Sequence, residues 1–187
     1  YQRKFGRPFA FVPPVVDPAL LLRGPAPPPV DLGGRGVMIG NVWGRAWLRR
    51  LAALTAATGV ELDWWSSAGL GWQELSAAEL ARAGIRWRPG PPDAELVRLL
   101  RRAPFALLPS GTLDAGDDHR AIARLSLPST AVYTTATAHL PLLVLGHQET
   151  AAARFAVRAG GGWSVPYDRG AFLGAVEELR RPEVQAR

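Results

Sequence analysis

The sequence has no cysteine and only one lysine, Lys4, among its 22 basic residues. The absence of cysteine excludes disulfides and thiolate metal sites, and it fits a cytoplasmic location. The chain also lacks an apolar run near the ~20 residues that a membrane-spanning helix needs. No Gly-x-Gly-x-x-Gly follows the first expected strand, and no P-loop is present. These two absences argue against a dinucleotide oxidoreductase and against a P-loop nucleoside triphosphatase.

The net charge of +6 comes almost entirely from arginines that are spread along the chain. A nucleic-acid surface would need basic residues clustered on one face and interleaved with aromatic residues, and no such stripe is present. We therefore predict no nucleic-acid partner and interpret the charge as a solvated surface. Attraction to phosphate, or a peripheral contact with an anionic membrane surface, is the functional alternative. The abundance of arginine, alanine, glycine and proline is typical of a GC-rich bacterial genome.

A chain of 187 residues with 48% hydrophobic content can form one domain with a substantial core. Prolines crowd residues 1–34, where they favour extended chain, so we predict a linker there and a single domain over residues 35–187. An ordinary flexible leader is the alternative for the proline-rich stretch. No methionine precedes Tyr1 and the only one is Met38, so we expect the chain to be part of a longer protein.

Short apolar segments alternate with helical patterns from residue 36 onward. Each segment has the length and composition of a strand buried in a parallel sheet, and the stretches between them have helical periodicity. Parallel neighbours need crossover connections, and these are right-handed. We therefore predict an α/β fold with a doubly wound, Rossmann-like parallel sheet of about six strands. The expected strands are residues 37–39, 60–65, 85–88, 105–109, 142–145 and 163–167.

A turn between the fourth and fifth expected strands has the composition of an anion site. Two serines three residues apart flank Pro128, and a helix is expected to begin at Ser129, although residues 130–138 are rich in β-branched residues that disfavour a helix. Free N–H groups at a helix start, together with serine hydroxyls, can bind one anion, and Arg124 would add charge. A structural helix cap at Ser129 is the alternative. The predicted phosphate-binding residues are Arg124, Ser126, Leu127, Pro128, Ser129 and Thr130.

This turn also resembles part of a known enzyme family. Residues 125–129 (Leu-Ser-Leu-Pro-Ser), the apolar strand that follows, residues 150–155 (Thr-Ala-Ala-Ala-Arg-Phe) and residues 160–168 (Gly-Gly-Gly-Trp-Ser-Val-Pro-Tyr-Asp) are similar in order and spacing to the C-terminal half of GT-B glycosyltransferases. That half binds the nucleotide-sugar donor. The resemblance covers roughly residues 35–180.

The resemblance implies that the turn binds the diphosphate of a nucleotide-sugar donor, which is a substrate, and it implies no further cofactor. It also implies a hexosyltransferase-type reaction with a sugar or lipid-linked acceptor. An N-terminal acceptor domain would be missing from this chain, so we expect no turnover by the chain alone. Thr130 stands where the family often has a basic residue, and the paired glutamates of many retaining members are absent. The catalytic residues and the stereochemical outcome are therefore unassigned, and a non-catalytic Rossmann-like binding or scaffold module is the alternative.

Further candidates come from the loops that follow the expected strands, because an open α/β sheet places ligand groups at the carboxyl ends of its strands. Asp117 and Asp118 could accept hydrogen bonds from sugar hydroxyls or ribose, or could cap the helix that follows. Trp43 could equally be a packing residue, and Arg88 a solvated residue at a helix entrance. The spacing of the aspartates predicts no metal site. These cleft candidates are Gly40, Asn41, Trp43, Arg88, Ser110, Gly111, Asp117, Asp118, His147 and Glu149.

Overall fold

A parallel sheet forms the centre of the computed structural model, which describes residue 6 and residues 15–24, 31–67, 69–70, 73–117 and 119–185. Its strands are β1 (Gly36–Ile39), β2 (Leu62–Ser66), β3 (Ile85–Pro89), β4 (Ala106–Pro109), β5 (Leu142–Leu145) and β6 (Gly162–Val165). They are hydrogen-bonded in the order β3-β2-β1-β4-β5-β6, and every pair of neighbours runs parallel. The predicted doubly wound α/β sheet of six strands is confirmed.

Helices cover both faces of this sheet. The helices of the described residues are α1 (Arg45–Thr58), α2 (Ala77–Arg82), α3 (Asp93–Leu100), α4 (Arg120–Leu125), α5 (Ser129–Ala138), α6 (Ala151–Arg158), α7 (Arg169–Leu179) and α8 (Pro182–Gln185). One apolar layer joins α1 and α7 to the sheet through residues such as Leu51 and Phe172. The other layer contains Leu100 of α3 and Ala131 of α5. Among the helices that the structure describes, none has the length and apolar character that crossing a bilayer requires.

Helix α5 forms despite its β-branched composition, as the phosphate-binding hypothesis requires. The hydroxyls of Thr134, Thr135 and Thr137 each donate to the carbonyl four residues earlier, at 2.8, 2.9 and 2.8 Å. Thr134 and Thr137 are buried, so these bonds satisfy polar atoms that would otherwise lie unpaired in the interior. Tertiary burial therefore overrides the weak intrinsic helix propensity of this segment.

The described part of the predicted linker, residues 15–24 and 31–34 besides residue 6, lies partly against the domain. Leu22 N–H donates to the Ala136 carbonyl at 3.0 Å, and Arg101 Nη2 donates to the Leu20 carbonyl at 3.5 Å. The family resemblance also implies a short strand and turn over residues 12–17 that cross between domains. Residues 15–17 are in no strand, and residues 12–14 lie outside the described residues. The domain boundary at residue 34 stays a prediction.

The connections of the sheet run in opposite directions from its centre. The chain proceeds outward from β1 through β2 to β3, and then returns to β4 and proceeds the other way to β6. The loops that leave β1 and β4 therefore diverge, one toward each half of the sheet. At such a switch point an open α/β sheet has a crevice at the carboxyl ends of its strands.

Candidate functional site at the carboxyl edge of the sheet

Two cavities lie at this edge, one on each side of the start of α5. The first, the β1–β4 cavity, has a volume of about 190 Å³ and lies between the ends of β1 and β4 and the helix α4. The second, the α5 cavity, has a volume of about 380 Å³ and lies between the first turns of α5 and the loops that follow β1, β2 and β3. Thr130 lines both cavities. The predicted phosphate-binding turn therefore separates two spaces that a ligand could occupy together.

The N-terminus of α5 presents unused donors between these cavities. Pro128 is the N-cap residue, and no side chain caps the helix. Ala131 N–H donates to the Pro128 carbonyl at 3.1 Å, but within the described residues the backbone N–H groups of Ser129 and Thr130 have no acceptor. Free N–H groups at a helix start carry partial positive charge and favour an anion. The structure therefore does not support the alternative in which Ser129 is a structural cap of the helix.

Hydroxyl groups surround the same point. Among the residues that the structure describes, the side chains of Ser126, Ser129 and Thr130 donate to no protein acceptor. Ser126 and Thr130 line the β1–β4 cavity, and Ser129 and Thr130 line the α5 cavity. Leu127 packs against the apolar layer beneath. The structure thus brings five of the six predicted phosphate-binding residues to one place.

Arg124 is the sixth, and its side chain points elsewhere. It is exposed on α4 and lines a separate depression with Leu113, Arg120 and Leu125. Its carbonyl accepts a hydrogen bond of 2.8 Å from Arg154 Nη2. The structure therefore does not bring the Arg124 guanidinium to the cavities that meet at Thr130.

Gly40 allows α5 to begin close to the end of β1. Its φ of 74° lies in the left-handed region, and a Cβ at this position would lie 2.6 Å from Thr130 Cγ2. Its N–H donates to the Trp65 carbonyl at 2.8 Å, and its carbonyl accepts from Trp64 Nε1 at 2.7 Å. The role of Gly40 is therefore to position the helix start, because a larger residue would push α5 away from the sheet.

Tyr133, which sequence reasoning missed, lines the α5 cavity and has an unpaired hydroxyl beneath the surface. Tyr133 lies one turn after Ser129 on α5, and its buried hydroxyl has no hydrogen-bond partner among the described residues. Burial first, and the negative charge of Asp93 second, raise the pKa of Tyr133. Asp93 and the apolar side chains of Trp65 and Pro91 line the same cavity. The four-residue spacing from Ser129 was the signal in the sequence that could have identified Tyr133.

Asp117 has a structural role inside the loop that follows β4. It is 2% exposed and accepts hydrogen bonds from Trp47 Nε1 at 3.2 Å, Leu113 N–H at 3.1 Å and His119 N–H at 3.0 Å. The carboxylate therefore holds the loop itself together, whereas the sequence offered it as a ligand group or as a cap of the following helix. The N-cap residue of α4 is His119, and no side chain among the described residues caps that helix. Asp118 lies outside the described residues.

Four other cleft candidates lie near the β1–β4 cavity. Asn41, Trp43 and Ser110 line it, and Trp43 is 63% exposed, so it is not a core residue. The Ser110 carbonyl accepts from the buried Tyr167 hydroxyl at 2.9 Å, and burial raises the pKa of Tyr167. Gly111 packs so closely that a Cβ would lie 2.4 Å from Asp117 Oδ2.

The remaining candidates lie away from both cavities. Arg88 lines an open depression beside β1, β2 and β3, together with Asp63 and Arg102. His147 and Glu149 are exposed in the loop after β5, where His147 Nδ1 accepts from Glu149 N–H at 3.1 Å. In the residues that the structure describes, no group of three histidine or acidic side chains could hold a metal ion.

Comparisons with known proteins bear on the fold. No family model and no curated protein matches the sequence. The structure is similar to the apo form of the glycosyltransferase GlyE of Streptococcus pneumoniae TIGR4, with 13% identity and a TM-score of 0.50 over 79% of this chain and 33% of that chain. The glycosyltransferase SnogD from Streptomyces nogalater has 19% identity and a TM-score of 0.49 over 95% of this chain and 43% of that chain. The phenylacrylic acid decarboxylase from Aquifex aeolicus has 11% identity and a TM-score of 0.38 over 78% of this chain and 95% of that chain.

The chain thus spans about a third of GlyE and less than half of SnogD. The TM-score of 0.50 supports a shared fold, and at 13% identity the likeness carries no information about individual site residues. The chain has a Rossmann-like α/β fold that is similar to about one third of a solved glycosyltransferase.

Proposed function

We propose that this chain is the donor-binding part of a glycosyltransferase that transfers a sugar from a nucleotide diphosphate sugar. The observation that carries the proposal is the uncapped N-terminus of α5, which lies between two cavities at the switch point of the sheet. A diphosphate placed there would accept hydrogen bonds from the backbone N–H groups of Ser129 and Thr130 and from the nearby hydroxyls. The fold similarity to GlyE supports the proposal at the level of architecture.

The α5 cavity is the space we assign to the nucleoside. A helix rises 1.5 Å per residue, so Tyr133 lies about 6 Å along the axis from Ser129, a spacing similar to that between a diphosphate and its nucleoside. The apolar side chains of Trp65 and Pro91 suit a planar base, and the unpaired Tyr133 hydroxyl supplies a donor or acceptor. Asp93 adds an acceptor at the same wall.

The chemical role of this site would be to stabilise the leaving diphosphate. Negative charge builds on the diphosphate as the bond to the sugar breaks, and fixed N–H dipoles at a helix start stabilise such charge without reorganisation. The sugar or lipid-linked acceptor and any general base would belong to an N-terminal acceptor domain. On this proposal the chain binds the donor but does not complete the reaction alone.

A non-catalytic binding module is the second candidate. Asp117, a buried carboxylate in the loop after β4, accepts from three N–H donors of the protein itself, so its role in the free protein is structural. Such a module would bind the same nucleotide at the same helix start, and only the addition of the acceptor domain would distinguish it from a transferase half.

Calorimetric titration of the chain with UDP, GDP, ADP and dTDP tests the proposal. We expect at least one of them to bind with a dissociation constant below 1 mM, and we expect no sugar transfer from the matching nucleotide sugar. Absence of binding by all four at millimolar concentration would refute the donor-binding function. Efficient transfer by the chain alone would refute the assignment of the acceptor site to another domain.

Replacement of Tyr133 by phenylalanine should affect stability and binding in opposite directions. The free protein buries the hydroxyl without a partner, so its removal should stabilise the fold by up to about 1 kcal/mol. The same change should weaken binding of the nucleoside diphosphate by about 0.5–1.5 kcal/mol, because a hydrogen bond to the ligand is lost. Urea denaturation and calorimetry measure the two effects.

Tyr167→Phe is the matched control, since its hydroxyl already donates to the Ser110 carbonyl. This variant should lose about 1 kcal/mol of stability. If Tyr133→Phe is destabilised to the same extent as Tyr167→Phe and binds the nucleotide normally, the Tyr133 hydroxyl does not contact the nucleoside.

A further inference from the structure

The β1–β4 cavity has apolar lining residues that take no part in the proposed phosphate site. Its floor is formed by the buried side chains of Met38, Trp47 and Leu107, none of which offers a strong hydrogen-bond acceptor to a ligand. Its mouth carries Trp43 and Ile122, which are 63% and 52% exposed. Large apolar side chains exposed together at a cavity mouth mark a binding site more often than they mark an ordinary surface.

We propose that the β1–β4 cavity binds a compact apolar group, either a single aromatic ring or a short branched alkyl chain. An apolar cavity of about 150 Å³ in another protein binds benzene, and this cavity has a volume of about 190 Å³. A group of that size would remove apolar surface from water on both the ligand and the protein, which favours binding.

Sugars and nucleobases fit this cavity poorly. Each carries several hydrogen-bonding groups, and burying such a group without a partner is unfavourable. Four polar side chains line the cavity beside its apolar floor, namely those of Asn41, Ser110, Ser126 and Thr130. Two of them, Ser126 and Thr130, also border the start of α5. The occupant is therefore an amphiphilic ligand with its apolar group inside and its polar end toward Ser126 and Thr130.

This orientation places the ligand next to the diphosphate site, on the opposite side of Thr130 from the nucleoside. The apolar group would then be part of the acceptor of the transfer reaction, and the N-terminal acceptor domain would bind the rest of that acceptor. That role rests on the proposed function. The binding of a compact apolar group rests only on the cavity.

Titration of the 187-residue chain with fluorobenzene, followed by ¹⁹F NMR, tests the proposal. We expect saturable binding at one site. Ile122→Asp places a charge at the mouth and should weaken binding at least tenfold. Leu125→Asp is the matched control, because Leu125 is exposed on the same helix at 83% but does not line this cavity, and binding should change less than twofold. Ala123→Leu, which fills the cavity from a buried position, should abolish binding if its melting curve shows a folded protein.

A nucleoside diphosphate at saturating concentration should leave fluorobenzene binding unchanged. Displacement of fluorobenzene would overturn the inference and assign the cavity to the nucleoside. Absence of saturable binding, or an equal loss in Ile122→Asp and Leu125→Asp, would also overturn it. If no nucleoside diphosphate binds at all, the proposed function fails, while the fluorobenzene titrations of the wild type and the aspartate variants still decide whether the cavity takes an apolar group.

Discussion

Replacement of both Ser126 and Ser129 by alanine is expected to weaken nucleoside diphosphate binding by about 1–3 kcal/mol, which is about 5- to 150-fold. Both hydroxyls are without a protein partner in the described part of the chain, and both lie at the uncapped start of α5. Each can therefore donate to a charged ligand without giving up a bond in the fold. The affinity for the nucleoside without phosphates should hardly change. Calorimetry with the diphosphate and the nucleoside measures both quantities.

Ser76→Ala provides a control with the opposite pattern. Ser76 caps α2, where its hydroxyl accepts from Glu79 N–H at 3.3 Å and donates to Glu79 Oε2 at 2.6 Å. Its loss should lower the melting temperature and leave nucleotide affinity unchanged. If the double variant Ser126→Ala/Ser129→Ala instead melts lower and binds diphosphate normally, the turn is structural and the phosphate site lies elsewhere.

Asp117→Ala should be the most destabilising of the substitutions considered. The carboxylate is buried and accepts from the buried Trp47 side chain and from two partly buried backbone N–H groups, so its removal takes the acceptor from three donors. The expected loss is about 3–5 kcal/mol of unfolding free energy, because a hydrogen bond to a charged group contributes about 1.5–3 kcal/mol and two of the donors keep partial access to water. Denaturation in urea, followed by tryptophan fluorescence, measures the loss.

Asp114→Ala is the matched control three residues earlier in the same loop. Asp114 is exposed, where it accepts from Gly116 N–H at 3.0 Å, and its contact with Arg50 Nη2 is 3.7 Å long. A surface pair of this kind contributes little, so the variant should denature close to the wild type. An Asp117→Ala protein that loses less than about 1 kcal/mol would show that the loop does not depend on this carboxylate, since loss of even one buried bond costs about that much.

The order and type of the elements could be predicted from the sequence because their signals are local. Helix α1 and strand β5 have the bounds that their apolar spacing and flanking glycines indicate. The other strands agree within one to two residues, which is the usual uncertainty at element ends. Six short apolar runs with helical connections leave few arrangements other than a parallel sheet.

The geometry of the site was only partly predictable, because it depends on how elements pack. Arg124 is two residues before Ser126 in sequence, yet the rotation of the short helix α4 about its axis directs its side chain into another depression. The sequence predicts a ligand group or a helix cap at Asp117. One of its partners, Trp47, is distant in the sequence and could not be inferred from local pattern. Tyr133 and the apolar cavity likewise arise from contacts between distant segments.

The most direct measurement of the central claim is the NMR spectrum of the backbone amides at the start of α5. On saturation with the nucleoside diphosphate that binds most tightly, the Ser129 and Thr130 amide protons should move downfield and become protected from exchange, because each gains a charged acceptor. The amide protons of His147 and Glu149, in the exposed loop after β5, should neither move downfield nor become protected from exchange. Unchanged Ser129 and Thr130 amides, with large shifts elsewhere at the edge of the sheet, would contradict a diphosphate site at the start of α5.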